Sequence, residues 1–194
     1  AAGDLAELVE LRDGGEQRRP DYLTLNPQGL VPALEHDGFV VAQSLAICEY
    51  LEECFPEPPL LPAGPHERAV VRAMALAIAC DIHPLNNLRV QQYLRDELGQ
   101  GEEAVARWTR HWMSRGFAAL EVLVSRHSAD GRHCFGTSVT LADVCLVPQL
   151  YNARRYEVSL DALDTLLGVE ARALALPRWD QAHPARQPDA EPPL

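Results

Sequence analysis

Hydrophobic and polar positions fall into two unlike patterns along the chain. Up to about residue 57 the apolar residues come in short runs. Leu5, Leu8, Val9 and Leu11 alternate loosely and predict a strand over Leu5–Leu11. A charged, Gly-rich loop follows from Arg12 to Pro20, then a short turn of helix over Asp21–Leu25. Val31–Glu35 and Phe39–Ala42 flank Asp37-Gly38, and Asp-Gly between two apolar runs is a strong hairpin signal. A helix then starts at Ser44 and runs to Cys54, with Leu45, Ile47, Cys48 and Leu51 as its apolar stripe. Five prolines between Phe55 and Pro65 exclude helix and central strand, and predict a linker.

Beyond the linker the pattern is helical throughout. Glu67–Leu98 is one long periodic segment interrupted at Pro84. Glu102–His127 is a second, with Trp108, Trp112, Phe117, Leu120 and Leu123 among its apolar positions. The Trp pair is read as packing rather than site. Thr140–Tyr151 is so apolar that it predicts a central buried helix. Thr140-Leu141-Ala142-Asp143 before it is a variant of the capping box. Leu160–Leu167 and Val169–Leu174 read as shorter helices, and the tail from Pro184 is Pro-rich and polar. The fold expected is α/β plus all-α. A small first domain covers residues 1–57, a linker 58–65, and an all-α domain 66–194.

One stretch of the first domain carries chemistry. Asn26-Pro27-Gln28-Gly29-Leu30-Val31-Pro32 ends a turn and opens the first strand of the hairpin. Pro32 cannot join a sheet ladder through its nitrogen, so the backbone there is free to pair with an extended ligand. Gln43-Ser44 opens the following helix, where a hydroxyl and free N–H groups suit a carboxylate. A capping role for Ser44 stands beside this reading. In the all-α domain His83 and Asn87 are four residues apart, so on a continuous helix they share a face. They either look into a ligand cleft or serve as a capping histidine and an interhelical contact. Arg89, Arg154 and Arg155 offer guanidinium forks suited to a carboxylate.

Charge and cysteines narrow the partners. A formal net charge of −11 argues against nucleic acid and against an anionic membrane surface, but not against small anions. Five cysteines, none in a C-x-x-C pair, predict reduced buried thiols rather than a disulfide framework, with Cys48, Cys80 and Cys145 in apolar helical stretches. No zinc-type spacing, signal peptide or membrane-length apolar run is evident, and a cytoplasmic location is expected.

The Val-Pro hairpin, the Gln-Ser helix start and the Thr-x-x-Asp box together resemble the glutathione transferase family. Several phrases resemble its zeta class of maleylacetoacetate and maleylpyruvate isomerases, which belongs to aromatic amino acid catabolism. They are Leu25-Asn26-Pro27-Gln28-Gly29, Gln43-Ser44-Leu45-Ala46-Ile47, the run Cys80 to Arg89 containing His83-Pro84-Leu85-Asn86-Asn87, and Val147 to Arg155. The resemblance implies a thioredoxin-like first domain and glutathione as cofactor. Val31 would pair through its main chain beside a cis Pro32, with Gln43 and Ser44 on the γ-glutamyl carboxylate. Gln28, His83 and Asn87 would also contact glutathione. Arg155, and after it Arg89 and Arg154, would bind a small diacid. The implied reaction is addition of the glutathione thiolate to a cis double bond, rotation and elimination. A free thiol near pKa about 8.5 needs help to ionise. The family's helper is a serine on a first strand and helix that have no counterpart here, so the catalytic group is unassigned and the sequence is read as part of a longer protein. A homodimer is expected by resemblance. A general conjugating transferase and a non-catalytic binding member remain as alternatives.

Overall fold

A computed structural model describes residues 15–187. The strand expected over Leu5–Leu11 lies outside those residues. The described residues group into two compact units, one up to Phe55 together with the residues from Pro184, the other Pro56–His183.

In the first unit a helical turn α1 (Pro20–Leu25) precedes strands β1 (Ala33–His36) and β2 (Phe39–Ala42) and helix α2 (Ser44–Cys54). The two strands pair antiparallel, with Ala33 opposite Ala42 and His36 opposite Phe39. Asp37 and Gly38 turn the chain with φ of 52° and 78°, the double positive φ that a tight two-residue hairpin loop requires. The first strand begins at Ala33, two residues later than expected, so Val31 and Pro32 stay outside the ladder. A two-stranded hairpin is marginal alone. Here α2 packs on both strands. Among the described residues Ile47 is the one buried apolar side chain of this unit.

The second unit carries the core. Its helices are α3 (Pro65–Leu76), α4 (Leu88–Asp96), α5 (Glu102–His127), α6 (Leu141–Arg155), α7 (Asp164–Leu174) and a short α8 (Pro177–Ala182). Helix α6 packs on α3 and α7, and α5 packs on α3, α4 and α7. Phe117, Met74, Met113, Leu120, Leu146, Leu150 and Leu166 are fully buried among them. Residues 58–65 are not a free linker. Leu61 is buried, and the Leu60 carbonyl accepts from Leu141 N at 2.8 Å. The start of α6 is fixed by its capping box. Asp143 is buried and its carboxylate accepts from Thr140 N, Thr140 Oγ1 and Cys134 N at 2.8, 2.6 and 2.9 Å.

Four sequence expectations change. The α5 stripe runs through Val105, Thr109, Met113, Phe117, Leu120 and Val124, and Trp108 and Trp112 are only half-buried beside it. The two short helices after residue 160 are one helix, α7. Its Gly168 lies where an added Cβ would meet the Gly131 carbonyl at 2.6 Å, so the glycine serves a close approach rather than a break. Cys80 is exposed while Cys134 is the buried thiol, and none of the five cysteines is in a disulfide. Most important, the interruption expected at Pro84 is present but spans more of the segment after α3, beginning at Ala77. The chain widens into a π-helical turn (Ala77–Ile82), tightens into a 3-10 turn (His83–Asn86) and restarts at α4 with Asn87 as the extended N-cap. Pro65–Asp96 is long and apolar enough to cross a membrane by length and composition. In the structure it is interrupted, and Val71, Met74, Ala75, Ile78 and Ile82 bury its apolar face inside the unit.

Candidate functional site

The first unit builds its site from one pinned turn and one helix start. Asn26 is buried, and its side chain works in both directions. Its Oδ1 accepts from Gln28 N at 3.1 Å and its Nδ2 donates to the Leu30 carbonyl at 2.6 Å. The Tyr22 hydroxyl donates to the same carbonyl at 2.7 Å. Gly29, at φ 61°, allows the chain to reverse between them. Leu30 is therefore held from two sides and Val31 emerges next to it, 41% exposed, before a cis peptide bond to Pro32. Among the described residues the Val31 N–H and C=O have no partner. An exposed main-chain donor and acceptor at one residue is what an extended peptide ligand can pair with.

At the other end of the hairpin Gln43 takes φ 77° and ψ 116°, a conformation that costs a non-glycine residue about 1–3 kcal/mol. This turns the chain so that Gln43 is the N-cap and Ser44 the first residue of α2. The first helical bond runs from Ile47 N to Gln43 O, leaving the amides of Ser44, Leu45 and Ala46 without helical acceptors. The Ser44 hydroxyl makes no hydrogen bond among the described residues. Gln43 Nε2 donates to Gln28 Oε1 at 2.6 Å, so the turn and the helix start are tied together by two of the expected residues. Unpaired amides, a free hydroxyl and the positive end of α2 fit a carboxylate. Together with the Val31 main chain, this donor set fits a peptide such as glutathione. Cys48, one turn into α2, offers no nucleophile, because burial pushes its thiol up.

The second unit places its expected residues around the helix break, which is centred on Pro84. Pro84 has no N–H to donate. The carbonyls freed nearby are taken up by a side chain of the turn itself and by side chains from α4 and α5. Ile82 O accepts from Asn86 Nδ2 at 3.0 Å, Leu85 O from Trp108 Nε1 at 2.8 Å, and Asn86 O from Gln91 Nε2 at 2.8 Å. Gln91 Nε2 also reaches the Tyr156 hydroxyl at 2.7 Å, and Asn152 Nδ2 donates to Asn86 Oδ1 at 3.1 Å. Buried polar groups satisfied this way specify one conformation. Gly116 of α5 completes the arrangement, because an added Cβ would meet Ile82 Cγ1 at 2.3 Å.

Within this frame His83 and Asn87 do not share a face of one helix, since the break separates them. His83 is exposed, with Nδ1 3.3 Å from Gln149 Oε1. Asn87 Oδ1 caps α4 by accepting from Arg89 N at 3.1 Å. Its amide nitrogen has no partner among the described residues. The side chains of Arg89 and Arg155 are exposed and, among the described residues, make no ion pair. Arg154 differs from the expectation. Its guanidinium holds Glu170 of α7 by two bonds of 2.5 Å, and Glu170 is only 5% exposed. A buried carboxylate needs that partner, so Arg154 is committed to joining α6 to α7. Sequence reasoning missed Asn86, Gln91, Gln149 and Asn152. Their signal was the polar residue set within two otherwise apolar segments.

Comparison with known proteins agrees with both units. The glutathione S-transferase N-terminal domain matches residues 4–54, and the C-terminal domain matches residues 93–185. The chain belongs to the glutathione S-transferase family, with a thioredoxin-like N-terminal half and an all-α C-terminal half. It is 51% identical over 180 residues to the maleylacetoacetate isomerase of Pseudomonas aeruginosa, covering 92% of this chain and 82% of that protein. Among solved structures it is similar to a holo maleylpyruvate isomerase, described as a bacterial glutathione S-transferase of the zeta class. That match has 44% identity and TM-score 0.90, and covers 94% of this chain and 86% of the other. It is also similar to a maleylacetoacetate isomerase from Methylobacterium extorquens AM1 with bound malonate and glutathione, at 38% identity and TM-score 0.90, covering 96% and 87%.

Proposed function

We propose that this chain acts as a glutathione-dependent isomerase, converting the cis form of a small unsaturated diacid to the trans form. The substrate class is that of its relatives, maleylacetoacetate or maleylpyruvate. The observation that carries the reading is a pair of uncommitted arginines, Arg89 and Arg155, on the unit that holds the His83 break in a chain of net charge −11. A dicarboxylate needs such groups, whereas an apolar electrophile does not. The malonate and glutathione bound together in the Methylobacterium relative support it.

Glutathione supplies a thiolate whose reversible addition makes the substrate double bond rotatable. The work of this chain is to hold and orient. Val31 offers its N–H and C=O to the tripeptide backbone. Ser44, with the free amides of α2 behind it, takes the terminal carboxylate, and the Gln28–Gln43 pair fixes the wall beside it. His83 and the Asn87 amide nitrogen contact glutathione, and Arg155 and Arg89 hold the diacid carboxylates. Arg154 is assigned to the Glu170 pair instead. A cytoplasmic homodimer serving aromatic amino acid catabolism completes the reading, supported by the family alone.

The test is turnover of maleylacetoacetate and of maleylpyruvate by the purified protein with and without glutathione. Conversion only in its presence is expected. Equal turnover in its absence overturns the proposal.

A further inference from the structure

Gln149 stands apart from the other polar residues of the helix break. It lies on α6, directly after Pro148, and is 3% exposed. Its Oε1 faces His83 Nδ1 at 3.3 Å across 66 residues of sequence. Its Nε2 is buried with no partner among the described residues. The amide is therefore not anchored by the carbonyls that hold Asn86, Gln91 and Asn152. Its one partner is the histidine. The ring has its Nδ1 turned inward onto the amide, while its Nε2 makes no hydrogen bond among the described residues.

A neutral imidazole carries one proton, and the partner of one nitrogen decides the state of the other. An amide oxygen can only accept. We propose that Gln149 is a positioning residue that keeps the proton of His83 on Nδ1, so that Nε2 faces outward with a free lone pair. His83 then meets a ligand as a hydrogen-bond acceptor, suited to an amide N–H of the tripeptide rather than to a carboxylate. The division of labour follows: arginines take the carboxylates, and the histidine takes an N–H. This inference rests on the proposed glutathione contact of His83, but its principal readout is independent of that contact.

The experiment is nitrogen-15 NMR of the His83 ring in the ligand-free protein, at a pH where the imidazole is neutral. A protonated, pyrrole-type Nδ1 and a pyridine-type Nε2 are expected. The opposite assignment overturns the inference. Gln149→Met, which keeps length and removes the acceptor, should release the ring toward the Nε2-protonated form, while Gln149→Glu, which keeps an acceptor oxygen, should not. If Gln149→Met fails to fold, the unmodified protein and Gln149→Glu still decide. Glutathione titration adds a second arm. Gln149→Met should weaken binding roughly fivefold, the size of one neutral hydrogen bond, and have no further effect in a His83→Ala background. Equal losses in both backgrounds overturn the inference. Should His83→Ala leave glutathione affinity unchanged while the ring shows the Nδ1-protonated form, the positioning role stands and the glutathione contact of His83 is lost.

Discussion

Ser44 and Arg155 are both exposed polar residues without partners among the described residues, yet they are suited to different charges in the reaction. Ser44 sits at the positive end of α2 and Arg155 at the last turn of α6. Hydrogen bonds to a charged group contribute about 1.5–3 kcal/mol. Ser44→Ala should therefore weaken glutathione binding about ten- to hundredfold and leave the diacid KM nearly unchanged. Arg155→Met should do the reverse, raising the diacid KM or lowering kcat/KM by at least about tenfold. Steady-state kinetics with each substrate varied in turn separates the two, and identical patterns for both variants would contradict the assignment. The neighbour Arg154 shows why residue type alone misleads. Two arginines in a row read alike in sequence, and only the buried Glu170, sixteen residues on in another helix, separates the structural one from the available one. The local geometry at Val31 and Ser44, by contrast, was legible because a turn, a hairpin and a helix start are all local signals.

At the scale of the element, the break between α3 and α4 is the decisive feature. Pro84 marked an interruption in the sequence, but the form of it depended on donors from α4, α5 and α6 that no local pattern reveals. The hairpin turn at Asp37-Gly38 and the Thr140–Asp143 box, whose partners lie within three residues, came out as expected. Gly116 tests the packing of the break. Gly116→Ala brings a Cβ against Ile82, which is buried and β-branched, so relief must come from backbone movement. A stability loss of about 1–3 kcal/mol is expected by denaturant unfolding, despite the better helix propensity of alanine. An unchanged midpoint would show that the π-helical turn yields freely. The far end of α4 carries a different device. Arg95 donates to both oxygens of Glu102 at the start of α5, which holds that carboxyl below its usual range. A lowered folded-state pKa gives stability that is present above the ordinary carboxylate value and lost as pH falls through the lowered one. The pair is at the surface, so Glu102→Gln should change the neutral-pH Tm little and flatten the acid side of the Tm–pH curve.

The molecule as a whole divides its tasks unequally. The second unit buries Phe117, Met113, Leu146 and their neighbours, whereas the described part of the first unit buries Ile47 alone among apolar residues. Around α2 and the hairpin, Phe39 and Phe55 are more than half exposed, and His36, Phe39, Tyr50 and Phe55 form one ring cluster. Exposed apolar surface of this kind accompanies association. The expected homodimer should appear as twice the chain mass of the protein in light scattering, and a monomer at micromolar concentration would remove it. The ring cluster was not readable from hydrophobic periodicity, which located most helices and part of their buried sides, Ile47, Phe117 and Leu120 among them. In α5 the sequence favoured the Trp residues, while Thr109 and Met113 turned out to be inside.

The segment from Ile82 to Asn87 has one further consequence, for protein engineering. Its main chain is stitched by Gln91, Trp108 and its own Asn86, which Asn152 holds in turn, with Gln149 on its histidine. Grafting the six residues alone onto another helical bundle would deliver dangling carbonyls and a drifting imidazole. A successful transplant must carry the distant donors with it. During divergence, too, those positions are expected to be inherited or replaced as a set.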